Sequence, residues 1–273
     1  MLRMESETGW WLITHPDHAR LAGAFATRWG NETFPSPQPR TSVLYGIHVH
    51  DDGWTARDAH PSITRAGKPS AFSHELVGKY SAFEEIDLAD YLAVRESAVQ
   101  QVESVDPYAA LLVSMHTYSL LTEHADRSTI APTQIPLLDA FLGRQRLRQD
   151  TLRAAIRTSP NLTPTQTADA TILTNFHLLQ ATDNLSLLSC VAYMQPSTLL
   201  HAFPTTMGAS TQIAVTPVAP RHFRISPYPF NEPTFTCHIP ARHVEGKLFA
   251  NSAELNAKFA AAPIEDLAIA ISA

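Results

Sequence analysis

The sequence predicts a mainly α protein, a helical bundle carrying a small C-terminal β-containing appendage. Three observations predict it. Long segments between residues 87 and 193 repeat apolar side chains every three or four positions, the period of a half-buried helix. After Pro196 the texture changes: eight of the 20 prolines lie between 196 and 240, with short β-branched or aromatic runs between them. The 273 residues, 44% apolar and 17% charged, suffice for a large core and exclude global disorder.

The first helix begins at "THPDHARLAGAFATRWG". Thr14 is a plausible N-cap with Asp17 three residues on, and Pro16 is tolerated in a first turn. Leu21, Ala22, Phe25 and Trp29 then recur at helical spacing until Gly30. Residues 31–40, "NETFPSPQPR", form a proline-rich connection. "TSVLYGIHVHDDGW" alternates like a strand at Val43, Tyr45, Ile47 and Val49, but Val43, Ile47 and Trp54 also share a helical face. A helix is preferred, because Gly53 stands where a left-handed cap would end it. Residues 55–80 form an irregular excursion rich in turn formers. Four helices follow, over 87–104, 106–124, 135–159 and 163–193. "TQIAVTPV", "HFRISPYPF" and "PTFTCHIPA" then read as strands of a small sheet, some at its edge because proline cannot donate to a ladder. "SAELNAKFAAA" is one short helix, and "EDLAIAIS" a final strand or helix. The expected organisation is a helical domain over 1–200 with a β-rich segment, 201–273, packed on it.

The net charge of -6 disfavours a non-specific nucleic-acid binder, which needs surplus cations for phosphates. Two cysteines, Cys190 and Cys237, offer neither a disulfide framework nor a cysteine-based zinc signature. No apolar run is long enough to span a membrane and the N-terminus has no signal-peptide pattern, so the expectation is a cytoplasmic protein. Its expected partner is a small-molecule substrate, with oligomerisation left open. The 13 histidines are the unusual number, and eight of them fall by residue 124.

Several polar residues lie on apolar faces. His18 shares the stripe of Leu21, Ala22, Phe25 and Trp29; His116 lies between Leu112 and Leu120; Asp183 lies between Leu179 and Leu187; His50 and Asp51 accompany Ile47 and Trp54. A buried, unpaired carboxylate costs several kcal/mol, of the order of 3–5. In the last turn of a helix, Asp51 and Asp52 would also oppose its dipole by roughly 0.3–1 kcal/mol each. A divalent cation held by imidazoles and carboxylates relieves both costs, whether manganese, iron, zinc, nickel or magnesium, as one or two ions. The plainer alternatives are core histidines bonded to carbonyls, an Asp183 that interrupts its helix, and a turn at Asp51-Asp52-Gly53 that leaves His48 and His50 on one face of a strand.

A first-helix His, an adjacent His-Asp pair and a distant Asp in "LLQATDNLSLL" together resemble the HD-domain superfamily of metal-dependent phosphohydrolases. The likeness is one of order and spans about residues 10–195. "HDDGW" with "DPYAALLVSMH" looks more closely like a bacterial family of unknown function. The superfamily resemblance implies an all-α bundle in which His18, His50, Asp51 and Asp183 ligate one metal and Asp51 bridges to a second. His116 is the best placed extra ligand, with His74 and His124 behind it. Asp-Gly-Trp stands where many members have an apolar residue, Gly and Lys, so a lysine sometimes found there is missing.

The mechanism that follows is attack of a metal-activated water on phosphorus, with Asp52 orienting or deprotonating that water. Arg57, Arg65 and Lys68 are phosphate-binding candidates by proximity. His48 is a further neighbour of the site, and His15 is either an outer partner or, as preferred, an exposed residue of its first turn. The same superfamily contains di-iron oxygenases, which the surplus histidines also suit. A third reading is a non-catalytic helical protein with a structural metal or an ion-free histidine cluster.

Overall fold

The computed structural model describes residues 1–78 and 87–273. Readings that fall on 79–86, the end of the 55–80 excursion among them, lie outside the described residues. Strands β1 (Leu2–Glu5) and β2 (Gly9–Ile13) precede α1 (His15–Arg28), α2 (Arg40–Val49) and the short α3 (Thr55–Asp58). Next come α4 (Leu88–Glu103), α5 (Pro107–Thr122), α6 (Ile135–Arg157) and α7 (Asp169–Cys190). The chain closes with β3 (Ser197–Pro204), β4 (Ser210–Ala219), β5 (His222–Ser226), β6 (Thr234–Glu245), α8 (Ser252–Ala261) and β7 (Ile264–Ser272).

This architecture corrects the expected mainly α bundle with a small β appendage, and it is not all-α. A curled, mixed seven-stranded sheet in the order β1-β2-β6-β7-β5-β4-β3, a half-barrel, stands beside the helices. Only β5 and β7 pair in parallel; the other neighbours are antiparallel. The first two strands come from the N-terminus, where "GWWLI" pairs with β6 from Gly9 opposite Glu245 to Leu12 opposite Arg242. The sequence hides this strand for a physical reason. Trp10 and Leu12 pack under Leu255 and Phe259 of α8, while Ile13 on the other face joins the main core, so both faces are apolar and no alternation appears. The closing segment "EDLAIAIS" is strand β7, with Leu267, Ile269 and Ile271 turned inward.

One continuous core joins the inward strand residues Ile213, Val215, Phe223, Ile225 and Ile239 to Phe25, Tyr108, Leu112 and Leu179 of the helices. Each such side chain contributes roughly 1.5–3 kcal/mol by leaving water. A second core of Trp54, Leu88, Tyr91, Leu92, Leu121, Leu138 and Phe141 lies where α4, α5 and α6 meet. No helix among the described residues is long and apolar enough to cross a membrane.

Candidate metal centre

Capping sets the entry of α1. The Thr14 side chain accepts from the Asp17 amide at 3.1 Å, the helix begins at His15, and His18 turns into the core. α2 ends at Val49 with His50 as its C-cap, and Asp51 leads into a short 3₁₀ turn, Asp52–Trp54. Gly53 is not the left-handed cap that the sequence suggests: it is absent from the residues with positive φ. Glycine is required there because α4 approaches, and a Cβ would lie 2.4 Å from the Val94 carbonyl oxygen. The two aspartates therefore follow α2 instead of occupying its last turn. α5 contributes His116 and α7 contributes Asp183.

These elements bring His18, His50, Asp51, His116 and Asp183 together, with exposures from 0% for His50 to 8% for Asp183. His18 Nε2 stands 3.1 Å from Asp51 Oδ2, and His50 Nε2 stands 3.3 Å from Asp183 Oδ1. His18 Nδ1 is 3.7 Å from Asp183 Oδ1, and His116 Nε2 is 3.8 Å from Asp183 Oδ2. Two ligands each about 2.1 Å from one ion lie roughly 3.0–3.4 Å apart, so the His18–Asp51 and His50–Asp183 spacings match the edges of a coordination shell and the two longer ones exceed it. Two overlapping groups of three could hold a metal ion, His18-His50-Asp51 and His50-His116-Asp183.

Hydrogen bonds on the far sides of the rings decide which nitrogens face inward. The Ser186 hydroxyl donates to the His18 carbonyl at 2.8 Å, so its oxygen accepts from His18 Nδ1–H at 2.8 Å. That leaves the His18 Nε2 lone pair toward Asp51. His50 Nδ1–H donates to the Ile47 carbonyl at 2.7 Å, and His50 Nε2 has no hydrogen-bond partner although it is fully buried. Lone pairs aimed at carboxylates repel unless a cation or a proton lies between them. An orphaned, inward imidazole nitrogen with its opposite nitrogen fixed is what a metal site requires, and the donor set fits a divalent ion.

Without an ion, protons and one arginine balance the charge. Burial opposes the ionised form of Asp51, but the Arg95 guanidinium and His50 outweigh it and hold the carboxyl well below its usual range. Asp183 is likewise brought down to about 2, against burial, by His50, His116 and His18. Burial alone would lower His50, yet the Asp51 charge and the Asp183 carboxylate raise it to about 9. Burial and the neighbouring cations push His116 down to about 3.

Other candidates lie elsewhere. Asp52 is not brought to the cluster: Arg20 grips both of its carboxylate oxygens near the surface. His15 is not an exposed first-turn residue; its ring stacks on Trp54 at 4.3 Å and meets Asp58 Oδ2 at 2.9 Å. His48 packs over Gly23 and is exposed on α2. His74 is exposed in a 3₁₀ turn, and His124 follows α5 beside the stacked pair His177–His201. Arg57 lies over the Trp54 ring at 5.7 Å, Lys68 lies over Trp10, and Arg65 is exposed.

Arg95, Tyr91 and Ser186 escaped the sequence reading. Arg95 Nη1 donates to Asp51 Oδ1 at 2.5 Å and Nε donates to the Tyr91 hydroxyl at 3.1 Å, with the guanidinium against Trp54 and Tyr91. The signal was present: Arg95 lies four residues after Tyr91 and three before Ala98, a cation on an apolar stripe. Ser186 carries no comparable signal.

Residues 1–246 match a family model described as "Protein of unknown function (DUF3891)". No curated protein and no solved structure matches the chain.

Proposed function

The chain belongs to the DUF3891 family, and from its buried centre we propose a metal-dependent hydrolase of phosphate esters. One observation carries the reading: His18, His50, Asp51 and Asp183, from distant parts of the chain, converge at ligand spacing with both histidines' outer nitrogens hydrogen-bonded. Their order along the chain supports an HD-type relationship, although the seven-stranded sheet lies outside that pattern. A bound divalent ion supplies a Lewis acid for a phosphoryl oxygen and lowers the pKa of water. The protein's own groups do the rest. Ser186 and the Ile47 carbonyl fix the imidazoles, Arg95 fixes Asp51, and Trp54 and Tyr91 shield the guanidinium. Asp183, the most exposed of the five, marks the side from which a small ester approaches.

A second reading rests on the burial of all five groups: a closed centre whose ion is structural. Elemental analysis of protein purified without a metal-affinity tag, beside His50→Ala and Asp183→Ala, tests the centre. Stoichiometric metal lost in both variants is the expected result, and metal-free native protein after anaerobic reloading would overturn it. Turnover of a phosphomonoester by the loaded protein, abolished in Asp183→Ala, separates hydrolase from structural ion.

A further inference from the structure

Arg95 changes the charge of the centre. Asp51 and Asp183 carry one negative charge each, Arg95 carries a fixed positive charge, and imidazoles that ligate an ion are neutral. A divalent ion therefore leaves the loaded group with one surplus positive charge, whereas without Arg95 it would be neutral. A buried uncompensated charge is costly and demands a counter-ion.

Two further facts oppose a second ion bridged by Asp51. A carboxylate bridges two ions through both oxygens, and Asp51 Oδ1 is already taken by Arg95 Nη1. The two groups of three share His50, whose Nδ1 is committed to the Ile47 carbonyl, so its single inward nitrogen serves one ion only. Arg95 thus stands where a second cation would bridge. Its Nη1 is bonded to Asp51 and its Nε to Tyr91, while Nη2 makes no hydrogen bond among the described residues. A guanidinium edge is a planar donor suited to oxyanions.

We infer that Arg95 makes this a one-ion centre with a built-in oxyanion receptor, selecting a ligand with a phosphoryl or similar tetrahedral oxyanion. The inference rests on the metal reading above. It disfavours the di-iron oxygenase, which needs a second ion.

The test compares wild type, Arg95→Met and Arg95→Lys. Manganese binding is followed by electron paramagnetic resonance, and inorganic phosphate binding to the manganese-loaded protein by calorimetry. Wild type is expected to take one manganese per chain with an uncoupled spectrum and then bind phosphate. Arg95→Met, freed of the opposing charge, binds manganese at least tenfold more tightly and phosphate at least tenfold more weakly; Arg95→Lys stays near wild type in both. Opposite signs are the discriminating result, because a purely structural arginine would weaken both. Weakening of both, unchanged affinities, or two coupled ions in wild type would overturn the inference while leaving the metal centre intact. Failure of wild type to bind any of the five candidate metals would instead remove the reading beneath it. Should Arg95→Met not fold, wild type decides alone: phosphate that ignores the loaded centre overturns the receptor.

Discussion

Two buried charge clusters adjoin in this protein, their His15 and His18 rings 6.0 Å apart, and they are finished differently. In the first, Asp58 receives the Met1 amino group at 2.9 Å, the His15 ring at 2.9 Å and the His15 amide at 2.5 Å. Its carboxylate is satisfied by N–H donors at hydrogen-bond distance, and one anion faces one cation. In the second, Asp183 meets imidazole nitrogens alone among the described residues, at 3.3–3.8 Å, and the one arginine pairs with Asp51. The same residue types therefore make a closed ion pair in one place and an open shell at ligand spacing in the other. Carboxylates met by imidazole nitrogens at ligand spacing, more than the presence of histidine, mark a site.

The largest expected effect falls on the closed cluster. Asp58→Ala strands a buried amine and should cost about 3–5 kcal/mol in chemical denaturation, with metal stoichiometry unchanged; loss of the ion as well would merge the two clusters into one. The pH dependence sharpens this. Burial raises the Asp58 pKa, but His15 and the amino group outweigh burial and leave it below its ordinary 3.8. The unfolded chain thus takes up the proton first on acidification. The stabilisation is complete above that ordinary value and is lost as the pH falls through it toward the folded one, so wild type should lose stability below about pH 4 more steeply than Asp58→Ala.

The open cluster should respond in the reverse sense. Asp183→Ala is expected to lose metal affinity by at least about a hundredfold (roughly 2.7 kcal/mol), while removal of a buried, incompletely paired carboxylate costs the ion-free fold less than the Asp58 change. A larger loss of ion-free stability would mean that Asp183 is a structural ion pair. Ser186→Ala releases the His18 ring and should weaken metal binding about 10–100-fold, seen by competition with a chelator. The smallest effect belongs to Asp52→Asn at the surface, worth about 0–1 kcal/mol with metal affinity unmoved. A loss of metal there would restore Asp52 to the centre.

What could be read from the sequence follows the same division. His18, His50, Asp51, His116 and Asp183 stood out because each is polar on an apolar helical face, a local pattern that survives without knowledge of the fold. The compensating groups did not stand out. Arg95 reaches Asp51 across 44 residues, and Ser186 reaches His18 across 168; such pairings exist only after folding. Asp52 and Asp51 are neighbours in sequence, yet the 3₁₀ turn sends one outward to Arg20 and the other inward to Arg95. The helices were legible from their period. The hairpin β1-β2 was not, because a strand covered on both faces loses the alternation that identifies it, and without that hairpin the sheet read as a tail.

The centre is drawn from α1, the end of α2, α5 and α7, with contacts that close stretches of 33 residues at His18–Asp51 and 168 at His18–Ser186. Long closures carry their entropy cost before any contact repays it, and they slow folding. No fragment short of α7 can assemble the set, so ion capture waits until α1, α2, α5 and α7 have all come together. In a refolding experiment the metal signal is therefore a clock for the docking of these helices, trailing the appearance of helix.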